Sequence, residues 1–135
     1  MNKLETLVPP LEMCKQIPVG KFADSVYAYR RVARSLFETT PVYTICLHIA
    51  SEKLEHYPAP TLAEILEALP TSISESKEKF YLYLLDTRNK PENDWQVGYA
   101  HEAFYGLYCS KKRKARDTNP ATAALKLFLG MEARR

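Results

Sequence analysis

Five positive charges crowd into six residues at Lys111-Lys112-Arg113-Lys114-Ala115-Arg116. Lysine and arginine neutralise nucleic-acid phosphates, and Tyr99, Phe104, Tyr105 and Tyr108 lie just upstream, where bases can stack. Lys111, Lys112, Arg113, Lys114 and Arg116 are therefore the candidate nucleic-acid contacts. A solvated loop has the same composition, and no groove-reading motif accompanies the run. Nucleic-acid binding is the alternative reading of this chain, not the leading one.

The other residue types that do chemistry are poorly spaced for it. Cys46 and His48 stand two apart on one strand face, which is the pattern of a thiol–imidazole pair. Their backbones would be about 7 Å apart, a spacing from which such dyads are rarely built. His48, His56 and His101 show no HxH, HxxxH or HExxH pattern. His101 and Glu102 are adjacent and would point to opposite faces of a strand. Asp86, Glu92, Asp94 and Glu102 gather near one loop, where paired carboxylates can hold Mg²⁺ or move protons. A polar loop needs no such role to explain them. Gly20, Gly98, Gly106 and Gly130 stand alone, so there is no glycine-rich phosphate loop. Cys14, Cys46 and Cys109 are distant and odd in number, and read as reduced thiols of a cytoplasmic protein. The expectation is a non-enzyme with no catalytic residue, cofactor or metal.

Trp95, Tyr99, Tyr81 and Tyr83 offer a different chemistry. Such aromatics pack cores and cross-strand pairs, and they also anchor interfaces. Core and cross-strand packing is the plainer reading of them; among the functional readings we favour a contact patch for a protein partner or a second copy of the chain.

These residues need elements to hold them. Leu11 to Ile17 reads as a short helix between Pro9-Pro10 and Pro18. Asp24 to Arg30 and Val42 to Ile49 alternate like strands. Arg31 to Glu38 fits either a helical face or a strand extension with a loop. Tyr57-Pro58-Ala59-Pro60 leads into the best-specified element. Thr61 and Glu64 form a capping box, Leu62, Ile65, Leu66 and Leu69 form one stripe, and Pro70 stops the helix. Thr71 to Glu78 is a polar stretch. Lys79 to Asp86 is apolar on both faces and belongs in the middle of a sheet. Thr87 to Asp94 is a loop, and Trp95 to Ala100 pairs back antiparallel. His101 to Ser110 fits helix and strand alike, and the basic run falls in a loop after it. Asn119-Pro120 opens a last, more buried helix that Gly130 ends.

The chain has 135 residues, 46% of them apolar, and a formal charge of +3. That is enough for one domain, 1–135, with its own core and no need of a staple. With the run set aside, the remainder is slightly acidic. No secretory leader and no membrane-spanning segment is expected. The fold class is α+β, an antiparallel or mixed sheet packed with about three helices in layers.

The chain resembles a group of small uncharacterised phage and prophage proteins of gut bacteria, of Bacteroides-type hosts. The matching stretches are 8–15, 24–27, 57–70 with its Pro-Ala-Pro-Thr helix start, 95–99 and 119–127. The resemblance implies a helix–hairpin–helix sandwich in the later half and a place in the bacterial host cytoplasm. It carries no catalytic residue over. The segments 31–38 and the basic stretch after Ser110 lie outside the pattern. The working reading is an accessory protein acting by protein–protein contacts, with Tyr57, Pro58, Pro60, Trp95 and Tyr99 as interaction residues. A homodimer is the simplest partner arrangement.

Overall fold

A computed structural model describes residues 3–32, 40–47, 55–75, 77–103 and 106–133, with side chains described outside 102–112. After a 3₁₀ turn at Lys3–Thr6 come α1 (Leu11–Cys14), β1 (Tyr27–Arg31), β2 (Tyr43–Leu47) and β3 (His56–Pro58). Then follow α2 (Leu62–Ala68), β4 (Ser72–Glu75), β5 (Glu78–Asp86), β6 (Trp95–Ala103), β7 (Gly106–Asp117) and α3 (Pro120–Glu132). The class is α+β, with helices packed on antiparallel sheet. The strands divide into two sheets rather than one, ordered β2-β1-β3 and β4-β5-β6-β7.

One apolar core joins both sheets. Tyr29 and Ile45 come from the smaller sheet, and Phe80, Val97 and Tyr99 from the larger. Ile65 and Leu69 of the α2 region complete it with α3. Ala121, Ala123, Ala124, Leu125, Leu127 and Phe128 are all buried. A helix apolar on so many sides has to lie at the centre. Full burial of a side chain such as Leu125 or Ile65 contributes about 1.5–3 kcal/mol.

Helix starts follow the local chemistry. Thr61 Oγ1 accepts from the Glu64 N–H, and Glu64 Oε1 accepts from the Thr61 N–H at 2.9 Å. The second Glu64 oxygen accepts from the Val26 N–H at 3.1 Å, so the cap also ties α2 to the entry of β1. Asn119 Oδ1 accepts from the N–H groups of Ala121 and Thr122. Its Nδ2 donates to the Val8 carbonyl at 3.1 Å and the Glu5 carbonyl at 3.4 Å. One side chain thus caps α3 and fastens the N-terminal arm beside it.

Several elements depart from the sequence reading. α1 is one turn, Leu11–Cys14, with further turns reaching Ile17. The first strand begins at Tyr27, because Asp24 belongs to a turn closed by Ser25 N–H to the Phe22 carbonyl. β2 ends at Leu47, and the expected residues 48–49 lie outside the described residues, as does most of 31–38. The polar stretch after Pro70 contains a strand, β4. The pairing of Glu75 with Glu78 leaves two residues for the turn, of which Lys77 has φ +69°. No Asn-Gly or Asp-Gly announces that hairpin, so the sequence hides it. Helix α3 runs through Gly130 to Glu132. Its buried flank outweighs the roughly 1 kcal/mol cost of a helical glycine.

Strand β5 is internal to its sheet, between β4 and β6, as expected for Lys79 to Asp86. Its burial falls along its length, however. Phe80 is buried and Leu82 half-buried, while Tyr81, Leu84 and Leu85 are exposed.

Candidate functional site

The basic run is not in a loop, as its polarity had implied. It lies within β7, an edge strand of the larger sheet. An edge strand has one hydrogen-bonded side only, and lysine-rich edges are a common guard against stray pairing. Between Gly98 and Ala100 the register with β7 jumps from Lys114 to Cys109, so β7 carries three extra residues there. The extra length bends β7 against Gly98. A Cβ at that position would sit 2.7 Å from the Arg113 carbonyl oxygen and 2.8 Å from Lys114 Cβ.

The described cations of the run are unequally engaged. Arg116 donates to Asp94 Oδ1 at 3.3 Å and reaches Thr87 Oγ1 at 3.4 Å. Thr87 in turn donates to Asp94 Oδ1 at 2.7 Å. Arg113 pairs with Glu75 at 4.0 Å. Lys114 is exposed. The side chains of Lys111 and Lys112 lie outside the described residues. Two of the candidate phosphate contacts therefore already face carboxylates.

The register of β5 on β6 splits the aromatic patch in two. Tyr81 pairs with Ala100 and Tyr83 with Gly98, whereas Trp95 and Tyr99 occupy the alternate face. Tyr99 is fully buried and donates its hydroxyl to the Pro70 carbonyl at 2.6 Å. Burial pushes that phenol up to about 12. Tyr99 is a core residue, and the expectation that it contributes to a contact surface is corrected. Trp95 is half-buried, with the Arg88 guanidinium 4.5 Å from its ring centre. Asp86 holds Arg88 through two side-chain bonds of 2.9 and 2.8 Å, and that bonding keeps the Asp86 carboxyl down at about 2. On the outer face, Tyr83 accepts from Gln96 Nε2, and Lys79 Nζ lies 5.8 Å from the Tyr81 ring centre. Tyr81 is 56% exposed and Leu85 40%.

The Tyr57–Pro60 lead-in turns out to be strand and core. His56–Pro58 is β3, at one edge of the smaller sheet, and a strand edge is where proline is tolerated. Ala59 and Pro60 are fully buried, which removes Pro60 from any contact surface. The Tyr57 ring packs on Tyr43 with centres 5.8 Å apart, and its hydroxyl donates to Glu55 Oε1 at 2.8 Å. That bond raises the Tyr57 phenol to about 12 and lowers the Glu55 carboxyl. Beside β3 lies a groove of about 520 Å³. Its walls are the α1 end with the following turn, from Cys14 to Asp24, and His56, Tyr57 and Pro58. Sequence reasoning singled out Tyr57 and Pro58 but not the turn across from them. Pro18 and Gly20 were its only signals.

The thiols and imidazoles form no catalytic arrangement among the described residues. Cys14 is buried, its thiol donates to the Pro9 carbonyl at 3.6 Å, and burial pushes it up to about 12. Cys46 Sγ donates to the Ala28 carbonyl at 3.7 Å. His48 lies outside the described residues, and so therefore does the Cys46–His48 pair. His101 bonds Glu78 across the sheet at 2.8 Å, and its ring meets Phe80 edge-on at 4.8 Å. Only the strand register could have revealed that pairing. Among the described residues, no group of three or more His, Cys, Asp or Glu could hold a metal ion. Among them, too, no helix is long and apolar enough to cross a membrane. Comparison with protein-family models, with curated proteins and with solved structures finds no match for this chain.

Proposed function

We propose that this chain is a non-catalytic accessory protein, of the phage or prophage kind it resembles, acting by protein–protein contacts in a bacterial cytoplasm. The observation that carries the reading is the outer face of β5. Strand β5 is flanked by β4 along Glu78–Tyr81 and by β6 along Tyr81–Asp86, and it shows Tyr81 and Leu85 to solvent. Apolar groups on such a rigid sheet make a contact face at little ordering cost. The partner arrangement proposed is a second copy, since one patch can serve both sides of a two-fold contact. Light scattering on the purified chain should give twice the 15.5 kDa monomer mass. The double variant Tyr81→Glu/Leu85→Glu should be monomeric with unchanged circular dichroism. A wild-type chain that stays monomeric at ~100 μM, well above the micromolar range of ordinary weak interfaces, would overturn the homodimer.

A second reading, nucleic-acid binding, is favoured by one observation. The bulge in β7 coincides with the basic run and leaves Lys114 exposed. Binding of DNA or RNA at ~50 mM salt, weakened by added salt and by Lys111→Glu/Lys112→Glu/Lys114→Glu, would support it. No binding at that salt would end it.

A further inference from the structure

The groove beside β3 is independent of the sheet face just described. We infer that it is a binding site for a compact apolar anion, meaning a small molecule with an aromatic or aliphatic body and one negatively charged group.

Its size, at about 520 Å³, falls within the roughly 300–1,000 Å³ of small-molecule sites. Ile17, Pro18 and Pro58 supply apolar wall. Lys15 and Lys21 supply two cations against a single carboxylate, Asp24, among the lining residues. Lys15 Nζ sits 5.4 and 5.9 Å from the ring centres of Tyr43 and Tyr57, and the carboxylate it meets among the described residues is the exposed Glu12 at 3.5 Å. The charge balance of the mouth therefore favours an anion.

The walls are set before a ligand arrives. Phe22 has φ +58°, a conformation a bulky side chain keeps only where its surroundings hold it. Its ring is held 4.9 Å from Phe128 of α3. The Lys21 N–H bonds the Pro18 carbonyl at 3.1 Å, and Gly20 takes the φ of +89° that the turn requires. A turn anchored to the central helix through Phe22 suits a preformed pocket.

An added peptide strand is the competing occupant, and β3 is ill suited to it. Arg31 N–H to the Glu55 carbonyl and Ala59 N–H to the Tyr27 carbonyl show that residues 55, 57 and 59 face β1. Pro58 falls on the outward side and has no N–H for a further ladder bond. Recognition here has to run through side chains.

The test uses 8-anilinonaphthalene-1-sulfonate as the apolar anion and N-phenyl-1-naphthylamine as the same body without charge. The full chain should bind the sulfonate saturably at one site, with amide shifts concentrated in 15–24 and 56–58. Lys15→Glu/Lys21→Glu, both on the surface, should weaken the sulfonate about tenfold, the size expected for reversing exposed charges. The same variant should leave the uncharged probe within about twofold. Tyr81→Ser/Leu85→Ser should leave sulfonate binding unchanged, which excludes adsorption to the sheet face. The inference is overturned by any of three results: no saturable binding, equal loss of both probes in the lysine variant, or loss in the sheet variant instead.

Discussion

Replacing Asn119 by alanine removes four hydrogen bonds from one place. Its Oδ1 accepts from two N–H groups at the start of α3, and its Nδ2 donates to the carbonyls of Val8 and Glu5. Loss of a helix cap of this kind costs about 1 kcal/mol. The donated bond to Val8, partly buried, is worth another ~1 kcal/mol, and the longer exposed one to Glu5 less. Asn119→Ala should therefore lose about 2–3 kcal/mol, read as a lower urea midpoint at constant slope. Asn119→Asp separates the two roles. It keeps the acceptor and adds a charge that the helix start favours by ~0.5 kcal/mol. It loses both donors, and it sets a carboxylate against two carbonyls and near Asp117, whose Oδ1 accepts from the Asn119 N–H. That variant should fall between the wild type and Asn119→Ala, about 1 kcal/mol down, with earlier proteolytic cleavage of the arm before Leu11. An aspartate variant as stable as the wild type would show that the arm contacts contribute nothing. An alanine variant within ~0.5 kcal/mol of wild type would refute the cap argument as well.

Gly98→Ala should lose about 1–3 kcal/mol, because its Cβ meets backbone at 2.7 Å and the bulge must open to admit it; a neutral result in thermal melts would mean that β7 moves freely there. Gly130→Ala should gain about 0.5–1 kcal/mol, since the position is helical with open space around it. Alkali should weaken the fold. Cys14 rises from 9.0 to about 12, and Tyr29 and Tyr99 from 10.0 to about 12, chiefly through burial. With the folded values above the unfolded ones, the unfolded chain releases protons first, so stability is whole below pH 9 and falls from there towards 12. Urea midpoints measured from pH 8 to 11 should show that fall. Cys14→Ala should start lower and fall later, because the two tyrosines lose protons only above 10.

The α2 start was legible because its determinants are local. Thr61 and Glu64 need only each other, and the stripe of Leu62, Ile65, Leu66 and Leu69 needs only a period. The same holds for Asn119-Pro120. What stayed hidden depends on partners distant in sequence. Tyr99 and Tyr81 look alike along the chain, yet the register buries one and exposes the other. Strand β4 exists because β5 is there to pair with it. The groove was half visible, through Tyr57 and Pro58. Its opposite wall is a turn whose shape rests on the packing of Phe22 against Phe128, over a hundred residues away.

The basic run shows why charge in a sequence underdetermines function. Polarity without alternation reads as loop, but an edge strand pays no burial penalty for polar side chains, so Lys111 to Arg116 can be strand. Once there, the arginines find the acids their neighbours present. Arg116 closes a triangle with Asp94 and Thr87 that pins the β5–β6 loop to β7, and Arg113 reaches Glu75. A phosphate recruiting either guanidinium would have to compete with a carboxylate already in place. Lys114 is exposed and, among the described residues, faces no carboxylate. A nucleic acid, were one bound, should therefore depend more on Lys114 than on the arginines. Arg116→Ala should act mainly through stability, by releasing the loop. The two effects are separable, because loosening the loop shifts a melting curve while losing a phosphate contact changes the salt slope of binding.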